Sequence, residues 1–211
     1  RGLGDVYKRQ QVGCVWKLEK LCRNKALKAA ANKPEHAKLF LNVDGNIIQD
    51  KSFIQGFTNR KAMKAGVPAS DIVFEITERS DIENYQILQQ IMKHYADQGY
   101  EIALDDVGAG HSGLNRVVNT TPDYLKADIE LVRDIHKYKK KEIMMKLLLD
   151  YCNATGAILI AEGIETVQEL ECLHSLGVHY GQGFSLGKLE RAFGNISAES
   201  EEILERLNGR K

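Results

Sequence analysis

Five short apolar runs, each closing on or near a polar side chain, constrain what this chain can fold into more than any other feature. They read Leu39-Phe40-Leu41-Asn42, Ile72-Val73-Phe74-Glu75, Ile102-Ala103-Leu104-Asp105-Asp106, Tyr124-Leu125-Lys126-Ala127-Asp128 and Ile158-Leu159-Ile160-Ala161-Glu162. Near-continuous apolar runs of this length are strands buried on both faces, which parallel sheets produce because helices cover them on both sides. Open and closed parallel α/β folds hold their chemistry at the C-terminal ends of such strands. Here three of the runs end in carboxylates, one ends in an amide and one carries an amine. That set points to an oxygen-ligated metal site with a positioning lysine.

The segments between the runs read as helices. Val15, Leu18, Leu21, Cys22, Ala26 and Ala29 mark an amphipathic helix over Val12–Ala31, stopped by Asn32-Lys33-Pro34. Further helices are predicted over Ser52–Lys64, from Ser80 or Asp81 to Tyr95, over Lys139–Ala154, from a Thr166 cap to Leu176, and from Ser197 onward. A glycine-rich loop, Gly108 to Gly113, leads into a short helix, and His179 to Phe184 reads as a last strand with its turn. Residues 1–11 carry neither period and read as a linker or a non-native segment; residues 12–211 read as one domain. Six strands alternating with helices make a parallel α/β protein. A closed barrel takes eight strands and about 250 residues. Counting therefore leaves an open doubly wound sheet or a barrel lacking part of itself.

Composition narrows the classes. With 211 residues and zero formal charge, the chain has material for a sizeable core and lacks the clustered basic excess of a duplex nucleic-acid binder. The one basic run, Lys137, Lys139, Lys140 and Lys141, reads as a solvated helix start. Cys14, Cys22, Cys152 and Cys172 show no metal-finger spacing and read as free thiols of a reducing compartment. No run has the ~18 apolar residues of a membrane span. A cytoplasmic protein, or the cytoplasmic part of a membrane-anchored one, is the expectation.

Glu75, Asp105 and Glu162 lie at the ends of three different strands, and a closed or curved sheet brings such ends together. Like charges gathered without a cation cost stability. Oxygen donors with an amide such as Asn42 select Mg²⁺, Mn²⁺ or Ca²⁺ over zinc. Asp106 can serve a second ion, and paired ions ~3.5–4 Å apart are the usual arrangement for phosphodiester cleavage. Lys126 has two roles open to it: a point charge orienting water or phosphate, or a Schiff-base amine as in barrel aldolases. Acidic neighbours keep the amine protonated, which favours the first. His111, in the glycine-rich loop, reads as exposed and not as a participant.

The segments Glu75-Ile76-Thr77-Glu78, Asp105-Asp106-Val107-Gly108-Ala109-Gly110-His111-Ser112-Gly113-Leu114, Tyr124 to Asp128, Ala161-Glu162-Gly163-Ile164-Glu165-Thr166 and Gly181-Gln182-Gly183-Phe184 resemble the EAL-domain family, in family order and spacing, from about Val12 to Lys188. The resemblance implies a modified (β/α)8 TIM-type barrel and hydrolysis of the bacterial messenger cyclic di-GMP to linear pGpG with Mg²⁺ or Mn²⁺, two ions in all. It implies Asn42, Glu75, Asp105, Asp106 and Glu162 as metal ligands. Lys126 is implied to position the hydrolytic water, with Lys126, Glu162 and Glu78 forming the catalytic set. Glu78 is implied to brace the loop after Asp106, and Asn42, Asp106 and Gln182 to meet the substrate. It also implies a possible homodimer and an additional sensor or cyclase domain in a longer parent chain.

Three departures stand against the pattern. Val107, Ala109 and His111 replace the usual loop Phe, Thr and Tyr, and Leu189 stands where the family commonly has Pro. The Glu-Ala-Leu signature itself is absent, and its glutamate belongs upstream of Val12; Gly2-Leu3-Gly4-Asp5 cannot replace it. The reading is an N-terminally truncated barrel whose activity by itself is expected to be low. The alternative functions are a non-catalytic cyclic di-GMP receptor or regulatory interaction domain, and a barrel aldolase using Lys126.

Overall fold

The computed structural model describes residues 15–44, 47, 50–51, 53–77, 85–108, 113–187, 196 and 198–209. Glu78, His111, Leu189, the helix starts at Ser80, Asp81 and Ser197, and residues 1–11 lie outside them. The chain divides into two compact units, Arg1–Ile102 and Ala103–Lys211.

In the first unit, α1 (Val15–Ala30) leads to β1 (Leu39–Val43), α2 (Phe57–Ala65), β2 (Ile72–Thr77) and α3 (Tyr85–Ala96). β1 and β2 pair in parallel, with Asn42 opposite Glu75. α2 begins five residues later than its sequence start, after Gly56, whose left-handed backbone (φ 68°) an α-helix cannot contain.

α1 presents a different face from the apolar one. Its buried positions are Trp16, Arg23, Leu27 and Ala30, whereas Leu21 is half exposed and Cys22 and Ala29 face outward. The reason is Arg23, 2% exposed, which pattern reading counts as polar. Its guanidinium donates to Glu19 Oε2 (2.5 Å), Thr58 Oγ1 (3.1 Å) and the Tyr95 hydroxyl (3.2 Å), and lies 5.0 Å from the Phe74 ring centroid. Glu19 in turn accepts the Asp44 N–H at 2.7 Å, so the chain is held just beyond β1. Aromatic edges close the surroundings, with Trp16 5.0 Å from Phe53 and 5.5 Å from Phe57.

β3 (Glu101–Val107) runs into the second unit, which continues through α4 (Gly113–Asn119), β4 (Tyr124–Ala127), α5 (Ile129–Val132), α6 (Lys139–Thr155), β5 (Ile158–Glu162), α7 (Val167–Ser175), β6 (Tyr180–Gln182) and α8 (Ala198–Asn208). β3, β4, β5 and β6 pair in parallel, in chain order. Every residue of β4 is buried, as its apolar run requires. Leu125, Ala127, Leu159 and Ala161 join Met145, Leu148 and Cys152 of α6 and Leu170 and Leu173 of α7 in one core. The short α5 was not legible as a helix. Asp128 starts it, its carboxylate accepting the Glu130 N–H at 2.7 Å. The predicted Thr166 start of α7 is a full capping box with Glu169.

The basic run is the solvated helix start that its sequence suggests, with Lys139 opening α6, and three of its lysines also meet polar groups of the protein. Lys137 meets Asp134 at 2.7 Å and Lys139 meets Glu142 at 2.5 Å, while Lys141 donates to the carbonyls of Glu130 and Arg133. Among the described residues no helix is long and apolar enough to cross a membrane, and Cys22, Cys152 and Cys172 are free thiols. Burial alone pushes the Cys152 thiol up to about 11.

Replacing Arg23 by Met strands Glu19 in a desolvated site, and is expected to destabilise the protein by about 3 kcal/mol in urea unfolding. Lys38→Ala, at the partly exposed 2.6 Å pair with Glu101, is expected to cost less than about 1 kcal/mol.

Candidate metal centre

In an ordinary strand, consecutive side chains point to opposite faces. β3 breaks that rule where the chemistry lies. Its register against β4 runs Ala103 to Tyr124 and Leu104 to Leu125, then shifts, so that Val107 stands opposite Ala127. Asp105 and Asp106 together face the single position Lys126, which is a β-bulge. Asp106 adopts a left-handed backbone (φ 58°), a conformation that aspartate tolerates better than most residues. The bulge defeats the pleat: carboxylate oxygens of Asp105, Asp106 and Glu162 lie within 4.8 Å of one another.

The remaining members follow from register. Lys126 stands opposite Ile160, two residues before Glu162, so Lys126 and Glu162 share a face of the sheet. Glu162 stands opposite Gln182 of β6. Lys126, 4% exposed, places its ammonium 3.0 Å from Asp105 Oδ1 and 2.5 Å from Glu162 Oε1. Gln182 donates its side-chain amide to Glu162 Oε1 at 2.5 Å. Its place between two carboxylates suits the electrostatic role of a point charge better than that of a Schiff-base amine.

Thus five sequence-predicted residues, Asp105, Asp106, Lys126, Glu162 and Gln182, meet at the C-terminal ends of four adjacent strands in the second unit. In the first unit, Asn42 is exposed at its strand end and Glu75, its register partner, is 8% exposed. The three carboxylates form an oxygen-only donor set, half-buried and close together, and that chemistry fits a hard divalent cation such as Mg²⁺, Mn²⁺ or Ca²⁺.

The turn after Glu162 is packed too tightly for ordinary side chains. Gly163 has φ 69°, and a Cβ there would collide with Ile129 of α5. Gly183 of the turn after β6 lies against the Ile164 backbone, whose N–H donates to the Gln182 carbonyl at 3.1 Å.

Sequence reading missed the part Glu169 plays beyond its cap. It is 3% exposed, and its carboxylate accepts three backbone N–H groups: Asp134 at 2.8 Å, Glu165 at 2.9 Å and Thr166 at 3.0 Å. Burial pushes this carboxyl up, but those N–H groups and the Thr166 side chain outweigh it and hold it below the ordinary glutamate value. The capping-box spacing Thr166 to Glu169 was the available signal; the contact with Asp134 had none.

Two outcomes test this geometry. Without divalent ions, Lys126→Met leaves the facing carboxylates uncompensated and is expected to cost about 3–5 kcal/mol. Mn²⁺ is then expected to raise the melting temperature of this variant more than that of the wild type; equal shifts would count against a cation taking the ammonium's part. Gly163→Ala is expected to cost about 2–5 kcal/mol from left-handed strain and overpacking. A double-mutant cycle with Ile129→Ala should show a coupling of about 0.5–3 kcal/mol.

The family model described as "EAL domain" matches residues 11–188. The "Cyclic di-GMP phosphodiesterase PdeB" of Shewanella oneidensis is 25% identical over 148 residues, which is 70% of this chain and 17% of that protein. The chain therefore spans about a sixth of that relative's length. Among solved structures, the calcium/cy-diGMP complex of Klebsiella pneumoniae BlrP1 aligns with a TM-score of 0.80 and 28% identity, covering 87% of this chain and 47% of that one. Its manganese/cy-diGMP complex aligns with a TM-score of 0.74 and 29% identity, covering 80% and 43%. A standalone EAL protein from Vibrio cholerae O395, in its c-di-GMP-bound form, aligns with a TM-score of 0.77 and 27% identity, covering 87% and 78%. These alignments choose the TIM-barrel-like architecture over the open doubly wound sheet that strand counting had left possible. With its model matched over most of the chain and its fold shared, this protein belongs to the EAL-domain family.

Proposed function

We propose that this chain carries part of the catalytic machinery of a metal-dependent phosphodiesterase that hydrolyses cyclic di-GMP to linear pGpG. The observation that carries the reading is the meeting of Asp105, Asp106 and Glu162 beside the Lys126 ammonium. Relatives named as cyclic di-GMP phosphodiesterases, and a similar structure holding manganese with the dinucleotide, supply the substrate and metal class.

Asp105, Asp106 and Glu162 are the proposed holders of Mg²⁺ or Mn²⁺, with Asp106 serving a second ion; Asn42 and Glu75 are proposed as ligands on sequence grounds. Bound ions supply Lewis acidity toward the phosphate and steady charge on the attacking and leaving oxygens. Lys126, held from both sides, orients the attacking water and the phosphate as a fixed positive charge. Gln182 holds the Glu162 carboxylate in one orientation through its amide. Water adds to phosphorus, one ester P–O bond of the ring breaks, and the water's proton ends on the leaving oxygen. An opened dinucleotide with one terminal phosphate results.

The full-length protein, incubated with cyclic di-GMP and Mn²⁺, should yield pGpG. Asp105→Asn and Glu162→Gln are each expected to lower turnover by about 10³-fold, and Gln182→Ala by about 10–100-fold. Chelation of divalent ions should abolish product. Tight cyclic di-GMP binding that survives chelation, with no pGpG formed, would instead support a non-catalytic receptor.

A further inference from the structure

The acidic centre stands on three turns, and one buried side chain ties two of them together. Asp134 belongs to the turn after α5, itself the continuation of the strand that carries Lys126. Glu165 and Thr166 belong to the turn directly after Glu162. Glu169 accepts a backbone N–H from each: Oε1 takes Asp134 at 2.8 Å, and Oε2 takes Glu165 at 2.9 Å and Thr166 at 3.0 Å. Asp134 needs this support, since it is a non-glycine residue with φ 56°.

From Glu165 the linkage continues through backbone alone. Its neighbour Ile164 donates its N–H to the Gln182 carbonyl at 3.1 Å, and the Ile164 carbonyl accepts the Ser185 N–H at 3.0 Å. Gly163 against Ile129 and Gly183 against Ile164 leave no free space in either direction. The turns after α5, β5 and β6 are thereby joined in one hydrogen-bonded series, with Glu169 as a buried charged member that bonds to two of them. A carboxylate bonded to three N–H groups is a strong, directional anchor.

We propose that Glu169 is a positioning residue for the acidic centre: by clamping the turn after α5 to the turn after β5, it sets the backbone from which Glu162 and Gln182 project. The proposal rests on the reading of Asp105, Asp106 and Glu162 as a divalent-cation centre, which Glu169 does not touch. Its action is the outer-shell kind, in which loss of a group behind the ligands weakens metal affinity by about 10–100-fold.

The test compares wild type, Glu169→Ala, Glu169→Gln and Tyr151→Phe in the full-length protein. Tyr151 donates its hydroxyl to the Val117 carbonyl at 2.9 Å, a hydrogen bond away from these turns, and serves as the stability control. Residue-resolved amide exchange without metal, and Mn²⁺ titration, are the two readouts. In Glu169→Ala the Ile164 amide, which Glu169 does not itself bind, should exchange about tenfold faster or more, and Mn²⁺ affinity should fall about 10–100-fold. Glu169→Gln keeps an acceptor for the cap and should recover part of both, while Tyr151→Phe should change neither. Unaltered Ile164 exchange in Glu169→Ala, or the same change in Tyr151→Phe, overturns the clamp. A wild-type protein without Mn²⁺ affinity overturns the metal reading, and Ile164 exchange still decides for or against the clamp.

Discussion

The acidic strand ends of the second unit gather around the buried ammonium of Lys126. Lys126 lies in a strand with every residue buried, and its amine stands within 3.0 Å of Asp105 and 2.5 Å of Glu162. Carboxylates gathered at strand ends repel, and a sheet that brings them together needs a positive charge among them. Lys126 supplies one from the sheet itself, fixed by its register against Ile160. The same charge that makes the arrangement tolerable is the one proposed above to meet a phosphate.

A second constraint comes from the strand pleat. Alternation sends neighbouring side chains apart, so a pair of consecutive aspartates offers one face only one carboxylate. The bulge between Leu104 and Val107, with the left-handed backbone of Asp106, brings both aspartates to Glu162. Bulges recur beside active sites because they re-aim a side chain without rebuilding the sheet. The turns after the strands then need the same degree of control, which close glycine packing and the Glu169 hydrogen bonds supply.

Arg23 is the counterpart in the first unit, where a guanidinium with 2% exposure links Glu19, Thr58 and Tyr95 and stacks within an aromatic shell. It also shows where pattern reading fails. Helical periodicity sorts residues by polarity, so it assigned α1 an apolar face through Leu21, Cys22 and Ala29, while the protein buries Trp16, Arg23, Leu27 and Ala30. Its ion-pair partner Glu19 lies one turn away on the same helix, but the hydroxyls that complete its burial, Thr58 and Tyr95, are 35 and 72 residues away and leave no signature in its own neighbourhood.

The sequence by itself determined the strands and what stands at their ends. β5 begins and ends where its apolar run does, the Thr166 cap is where its spacing put it, and the motifs around Asp105, Lys126, Glu162 and Gln182 carry the family resemblance. Burial on both faces leaves that imprint locally, in residue type and spacing. Tertiary structure alone decided that two adjacent aspartates share a face, that Lys126 divides itself between Asp105 and Glu162, and that Glu169 reaches Asp134, 35 residues away. Those outcomes depend on strand register and on turns packed against one another, quantities that no stretch of the chain contains until the strands beside it are in place.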